Sequence, residues 1–246
     1  MNSPQFTYVG TELELFARAA HWKRYVAEVL APHISGRVLE VGAGIGSNTG
    51  YLAEVSKFTS WECLEPDRNQ ADVIRDKIAT QQLPGGCTVS AGTLADIPHD
   101  TKFDAILYLD VLEHIRDDRT EVALAAAHLD RNGRLIVLAP AHDWLFTPFD
   151  ERIGHYRRYS RRSLGALTVP ELEIVSLRYV DSIGMIASLA NRLILSASMP
   201  TDGQIQVWDQ YMVPMSRFSD RLLMGSLGKS VIAVWKRGTS LQHGMT

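Results

Sequence analysis

Cysteine is nearly absent: Cys63 and Cys87 are the two thiols in 246 residues. Each lies in an apolar or β-rich stretch, which reads as two reduced, buried thiols and leaves no material for a disulfide framework or a cysteine metal centre. A basic excess is also lacking. Lys and Arg number 25 against 28 Asp and Glu, a formal net charge of −3, so nucleic acid is not expected as a partner. Residues 1–10 show no basic region leading into an apolar one, so no secretory signal is expected. The most apolar stretch, Met185 to Met199, is broken by Asn191 and Arg192 and is too short to span a bilayer. Internal repeats and low-complexity segments are missing. What remains is a cytoplasmic α/β protein whose 46% hydrophobic content supports a sizeable core.

Apolar residues recur at helical spacing from Glu12 to Leu30, and Pro32 and Gly36 stop that helix. Strands and helices then alternate. Strands are predicted at Arg37 to Val41, Phe58 to Leu64, Cys87 to Ala91, Phe103 to Leu109, Arg134 to Ala139, Leu172 to Val180 and Ser230 to Lys236. Helices are predicted at Gly46 to Ser56, Asp67 to Thr80 and Asp118 to Leu129, the last with Asp118 as N-cap and Glu121 three residues on. Such alternation implies right-handed βαβ crossovers, a mostly parallel sheet, and ligands bound beyond the carboxyl ends of its strands. Two insertions stand out, at Ala141 to Tyr159 and Ser182 to Gly228, and the tail after Gly238 reads as disordered.

The first strand runs into Glu40-Val41-Gly42-Ala43-Gly44-Ile45-Gly46. Glycines let the backbone turn sharply and approach a ligand, and a helix N-terminus offers free N–H groups beyond them. The spacing is G-x-G-x-G; Ser47 stands where a dinucleotide fingerprint would place its last glycine, which counts against a pyrophosphate. Glu65 follows the second strand, 19 residues after Gly46. An ionised acid at that place can accept both hydrogen bonds of a ribose diol.

These segments resemble the class I S-adenosylmethionine-dependent methyltransferases. Leu39 to Gly46 is similar to their first motif, and Leu64-Glu65-Pro66-Asp67 to the acidic loop that holds the cofactor ribose. Gly92 to Pro98 resembles the loop lining the adenine, Phe103 to Ile115 the fourth-strand motif, and Gly133 to Pro140 the fifth. The resemblance implies a Rossmann-like fold: one domain, with a seven-stranded mostly parallel sheet and helices on both faces. Its parts are an N-terminal helical cap (1–33), the core (34–181), a cap insertion (182–228), the last strand (229–237) and a tail (238–246). It further implies a cofactor site of Glu40, Gly42, Ala43, Gly44, Gly46, Asn48, Glu65, Pro66, Thr93, Leu94, Leu109 and Asp110. Where many relatives carry Asp, this chain has Thr93, so Asp96 or a backbone carbonyl would meet the adenine amine.

For catalysis the candidates are Asp110, His114 and His155. Asp110, Glu113 and His114 are spaced i, i+3 and i+4, which shares one face if the chain turns helical there. They read as structural, Asp110 near the cofactor and Glu113 and His114 packing or capping, or more sharply as holding a base, and no metal is expected. An alternative is a divalent site of Asp110, Glu113, His114 and His155, since the run is similar to the Glu-x-x-Glu-His motif of metal-dependent O-methyltransferases. Gly154 to Tyr159 resembles a bacterial subgroup with a Gly-His-Tyr-Arg-Arg-Tyr segment. Acceptor binding is assigned to Trp22, His142, Trp144, Tyr156, Arg157, Arg158 and Tyr159, the arginines as holders of an anionic acceptor. The Met-rich insertion 182–228 reads as a cap over the acceptor pocket or as an amphipathic membrane contact. Three functions stay open: methyl transfer to a small molecule at O, N or C; methyl transfer to a lipid-linked or glycan acceptor at a membrane surface; and a non-catalytic, cofactor-binding partner subunit.

Overall fold

The computed structural model describes residues 16–194 and 201–238, with the side chains of 190–194 left aside. Expectations for residues 1–15 and for the tail from 239 on lie outside the described residues.

The chain folds into alternating strands and helices. Its strands are β1 (Ser35–Val41), β2 (Lys57–Glu65), β3 (Cys87–Ala91), β4 (Phe103–Leu109), β5 (Leu129–Pro140), β6 (Leu172–Val180) and β7 (Ser230–Arg237). Its helices are α1 (Ala20–Leu30), α2 (Thr49–Val55), α3 (Arg68–Ala79), α4 (Asp118–His128), α5 (Pro148–Arg152), α6 (Arg161–Gly165), α7 (Ser182–Ile194), α8 (Asp202–Val207) and α9 (Val213–Leu222). The sheet has seven strands in the order β3-β2-β1-β4-β5-β7-β6. Every pairing is parallel except those of β7, which inserts antiparallel between β5 and β6.

Both faces of the sheet are covered, and the strand period of two divides the core accordingly. Leu39, Ile106, Tyr108, Leu135, Val137, Ala233 and Trp235 point to one face. Val38, Ala105, Leu107, Ile136, Leu138, Ile232 and Val234 point to the other, where α1 and α2 pack. Cys63 and Cys87 are buried and free, as the composition implies. Among the described residues no helix is long and apolar enough to cross a membrane.

Three local readings are corrected. The N-terminal helix is interrupted at Arg18 and Ala19, so its regular part begins at Ala20. The helix after the glycine loop starts at Thr49, because the three glycines keep the chain in turns until then. The N-cap of α4 is Asp117, whose carboxylate accepts from the Thr120 amide at 3.1 Å. Asp118 instead accepts from the Tyr159 hydroxyl, and Glu121 from the Tyr108 hydroxyl, each at 2.7 Å.

Candidate active site

Backbone strain marks the carboxyl edge of the sheet. Asp110, His142 and Asp181 follow β4, β5 and β6, and all three hold positive φ, at 54°, 68° and 66°. Left-handed backbone is unusual for non-glycine residues and persists only where the surroundings impose it. The three mark the edge beyond which such sheets form their ligand crevice, although Asp181 itself is fully buried.

The glycine loop stands at the same edge, after β1. Gly42, Gly44 and Gly46 also have positive φ, and a Cβ on Gly42 would meet the Val111 side chain at 2.7 Å. Glu65 holds the loop down: one oxygen accepts from the Gly44 amide at 2.7 Å and the other from the Asp67 amide at 2.9 Å. Burial pushes its carboxyl up to about 7, against the pull of those two amides. Each oxygen keeps acceptor capacity beyond its one backbone bond, which fits two ribose hydroxyls. Glu40 is turned the other way. It is buried among Thr49 and Trp61, whose hydroxyl and indole N–H donate to it at 2.8 and 3.0 Å, so it supports the loop from beneath. Ala43 and Leu109 are buried, and Asn48 precedes α2 without a side-chain capping bond. Pro66 is half-buried beside Glu65.

In the loop expected to line the adenine, Thr93 is exposed while the Leu94 side chain lies in the core. Leu94 can therefore offer a ligand its backbone but not its side chain. One Asp96 oxygen accepts from both the amide and the hydroxyl of Thr93, at 2.8 and 2.9 Å.

Asp110 follows β4 at the carboxyl edge of the sheet, exposed to solvent yet crowded by protein. That crowding pushes its carboxyl up to about 6, while His155, Lys229, Lys23 and Arg158 pull it down. Lys229 escaped the sequence reading. It precedes β7, its amide donates to the Asp181 carbonyl at 3.0 Å, and its carbonyl accepts from the Ala141 amide at 2.8 Å. Its ammonium lies 4.8 Å from the centre of the Trp208 ring. Burial lowers its pKa, against Asp181 and Asp110, which raise it. Among the described residues no carboxylate or carbonyl accepts a hydrogen bond from the ammonium. His142 donates from Nε2 to the Gly228 carbonyl at 3.0 Å and packs on Tyr179 and Trp144. That tautomer leaves Nδ1 as an acceptor. Trp22 packs between Tyr25 and Trp208, beneath the cap.

Glu113, His114 and His155 come together, each offering a ligand atom within 4.8 Å of the others. Asp110 lies outside that group. Glu113 is fully buried, and among the described residues neither of its oxygens has a hydrogen-bond partner. Burial pushes its pKa well up, and burial also takes His114 down to about 4. His155 bonds through Nδ1 to Asp150 at 2.9 Å and turns Nε2 toward Glu113, 3.8 Å away. A ligand-bearing imidazole backed by a carboxylate is the usual outer arrangement of a metal-binding histidine. This donor set, one carboxylate and two imidazoles, fits a divalent ion, against the expectation of none.

The arginine segment is corrected. Arg158 forms a two-pronged pair with buried Asp150, at 2.8 and 2.9 Å. Arg157 pairs with Asp118 at 2.6 Å and donates to the Arg116 carbonyl at 2.7 Å. Both guanidiniums are occupied by the chain itself and do not stand free for an acceptor. Tyr159 is 2% exposed and belongs to the core. Tyr156 and Trp144 are exposed, at 55% and 46%.

The fold and the loop geometry define the class: this is the Rossmann-like fold of class I S-adenosylmethionine-dependent methyltransferases. Residues 14–177 match the family described as "Methyltransferase domain", and the chain belongs to that family. It is similar to the demethylmenaquinone methyltransferase of Tropheryma whipplei, 31% identical over 166 residues that cover 65% of this chain and 63% of that protein. The chain thus spans less than two thirds of that relative's length. Among solved structures it is similar to a geranyl diphosphate methyltransferase in complex with SAM, with TM-score 0.63, 14% identity, and coverage of 96% of this chain and 93% of that one. It is also similar to an S-adenosylmethionine-dependent methyltransferase from Clostridium acetobutylicum, with TM-score 0.56, 12% identity and coverage of 90% and 92%. At these identities the structural likeness concerns the fold.

Proposed function

We propose that this chain transfers a methyl group from S-adenosylmethionine to a small-molecule acceptor. The observation that carries the reading is Glu65, a buried carboxylate tied to the glycine loop with acceptor capacity to spare on both oxygens. Gly42 to Gly46 would hold the methionine end and Glu65 the ribose. When bound, the cofactor supplies a methyl on a cationic sulfur, a good leaving group. The chain's own part is to place the acceptor and keep it reactive. Asp110, Lys229 and His142 stand at the same edge of the sheet, at the ends of β4, β7 and β5. Lys229 supplies positive charge for an anionic oxygen of the acceptor, the role that Arg157 and Arg158 cannot fill. Asp110 or Nδ1 of His142 can take a proton from a neutral acceptor. Formation of S-adenosylhomocysteine with a candidate acceptor, abolished in Gly42→Val and strongly reduced in Glu65→Ala, tests the reading. A chain that binds the cofactor but turns nothing over would favour a partner-subunit role instead.

A second reading concerns a divalent ion at Glu113, His114 and His155. The orphaned Glu113 oxygens favour it, because leaving buried polar atoms unpaired is costly. An ion there would satisfy Glu113 and fix the loop between β4 and α4.

A further inference from the structure

Helix α9 is built inside out. Its inward face carries Val213, Ser216 and Asp220, all buried. Asp220 accepts from the Tyr25 hydroxyl and from the amides of Asp181 and Ser182, and Ser216 donates to Asp181. The polar side chains thus serve as ties to the sheet edge. The outward face carries Met215, Phe218 and Leu222, spaced i, i+3 and i+7, which are 58%, 66% and 68% exposed. Tyr211, four residues before Met215, is 65% exposed, and Met224, just past the helix, is 87% exposed. The neighbouring α7 packs against α9 and leaves Ile186 56% exposed. Such a run of large apolar side chains in water is uncommon on a soluble surface and marks an interaction site.

Charge decides what covers it. Between 207 and 224 the two acids, Asp209 and Asp220, are buried. The charges left at the surface are Arg217, half-buried and paired with Glu28, and Arg221, exposed and without a partner among the described residues. With Arg217 neutralised by the exposed Glu28, the apolar face keeps at its flank the Arg221 cation, unpaired among the described residues, and this positive flank complements an anionic lipid surface. A second copy meeting the same face about a two-fold axis would set Arg221 against its own kind.

We propose that the outward face of α9 docks the protein on an anionic lipid surface, with Phe218, Leu222 and Met224 entering the headgroup boundary. The cap also touches the carboxyl edge of the sheet, through Trp208 beneath Lys229. The proposal does not depend on methyl transfer.

The test is co-sedimentation of the full chain with phosphatidylcholine vesicles, with and without phosphatidylglycerol, alongside light scattering. The wild type should pellet with the anionic vesicles. The double variant Phe218→Ser, Leu222→Ser should lose on the order of tenfold or more in partitioning, since both side chains are apolar and outward. Arg221→Gln should lose about fivefold on anionic vesicles and nothing on neutral ones, as one surface cation contributes about that much. Unchanged thermal unfolding of both variants shows that the fold is intact. A wild type that stays in the supernatant with all vesicles overturns the proposal. So does a double variant that pellets like the wild type, or a wild-type dimer that the double variant converts to monomer without any vesicle binding.

Discussion

Arg158 grips Asp150 through Nε and an Nη, at 2.8 and 2.9 Å, and the same carboxylate holds His155 Nδ1 at 2.9 Å. Asp150 is fully buried and Arg158 almost so. Although burial raises the Asp150 pKa, the bonds from His155 and Arg158 outweigh it and hold the carboxyl far below the usual range. The segment that looks like an anion receptor in the sequence is in fact an internal brace that aims His155 at Glu113.

Removing one member of a buried pair strands the other. Arg158→Ala should therefore cost about 3–5 kcal/mol of stability. Arg157→Ala breaks a pair whose guanidinium is 29% exposed and should cost about 1 kcal/mol or less. Urea unfolding of both variants measures the contrast. Equal losses would show that Asp150 is not buried as a charge.

The raised carboxyls set a pH dependence. Glu65 and Glu40 are both pushed up to about 7 by burial. A carboxyl whose folded pKa lies above its unfolded value binds its proton longer when folded, so stability falls as pH climbs from about 4.5 through 7 and is flat above. Ligand binding runs the other way, because ribose hydroxyls donate to the ionised form of Glu65. S-adenosylhomocysteine should bind about tenfold more weakly at pH 6 than at pH 8. Glu65→Gln should bind weakly at both values, and a variant that kept the slope would remove Glu65 as its source.

Under the proposed function, Lys229 meets the negative charge of the acceptor. With an acidic acceptor, Lys229→Met should raise KM on the order of tenfold, the scale of one lost charge-assisted bond, with cofactor affinity unchanged. Lys229→Arg should restore part of it. An equal loss with the neutral ester of that acceptor would assign Lys229 to packing against Trp208.

The divalent reading has a direct thermodynamic test. Zn2+ or Mn2+ added to chelator-treated protein should raise the melting temperature by several degrees through linkage, and Glu113→Gln should abolish the shift. No shift with either ion, together with turnover unaffected by chelation, would leave Glu113 a neutral buried acid.

Much of the fold was readable because parallel strands buried on both faces carry near-continuous apolar runs. Phe103 to Leu109 falls where the sequence places it and is buried along almost its whole length. Leu172 to Val180 also falls where expected, but as an edge strand that pairs antiparallel with β7 and is exposed or half-buried through its middle. The turn of the glycine loop, and Glu65 beside it, were readable because the glycine spacing is a local signal. Residues whose roles depend on distant partners were not. Arg157 and Arg158 read as free cations, since nothing nearby announces that Asp118 and Asp150 will reach them. Lys229 is an unremarkable lysine before a strand until β7 inserts between β5 and β6 and sets it at the carboxyl edge of the sheet. Tyr159 looks like part of an aromatic recognition stripe, yet its hydroxyl reaches Asp118 inside the core.

Calorimetric titration with S-adenosylhomocysteine tests the central claim most directly. The wild type should bind at about micromolar Kd. Glu65→Ala should weaken binding by about 1–3 kcal/mol, the scale of losing hydrogen bonds to a charged group. No binding by the wild type, or undiminished affinity in Glu65→Ala, would contradict the site described above.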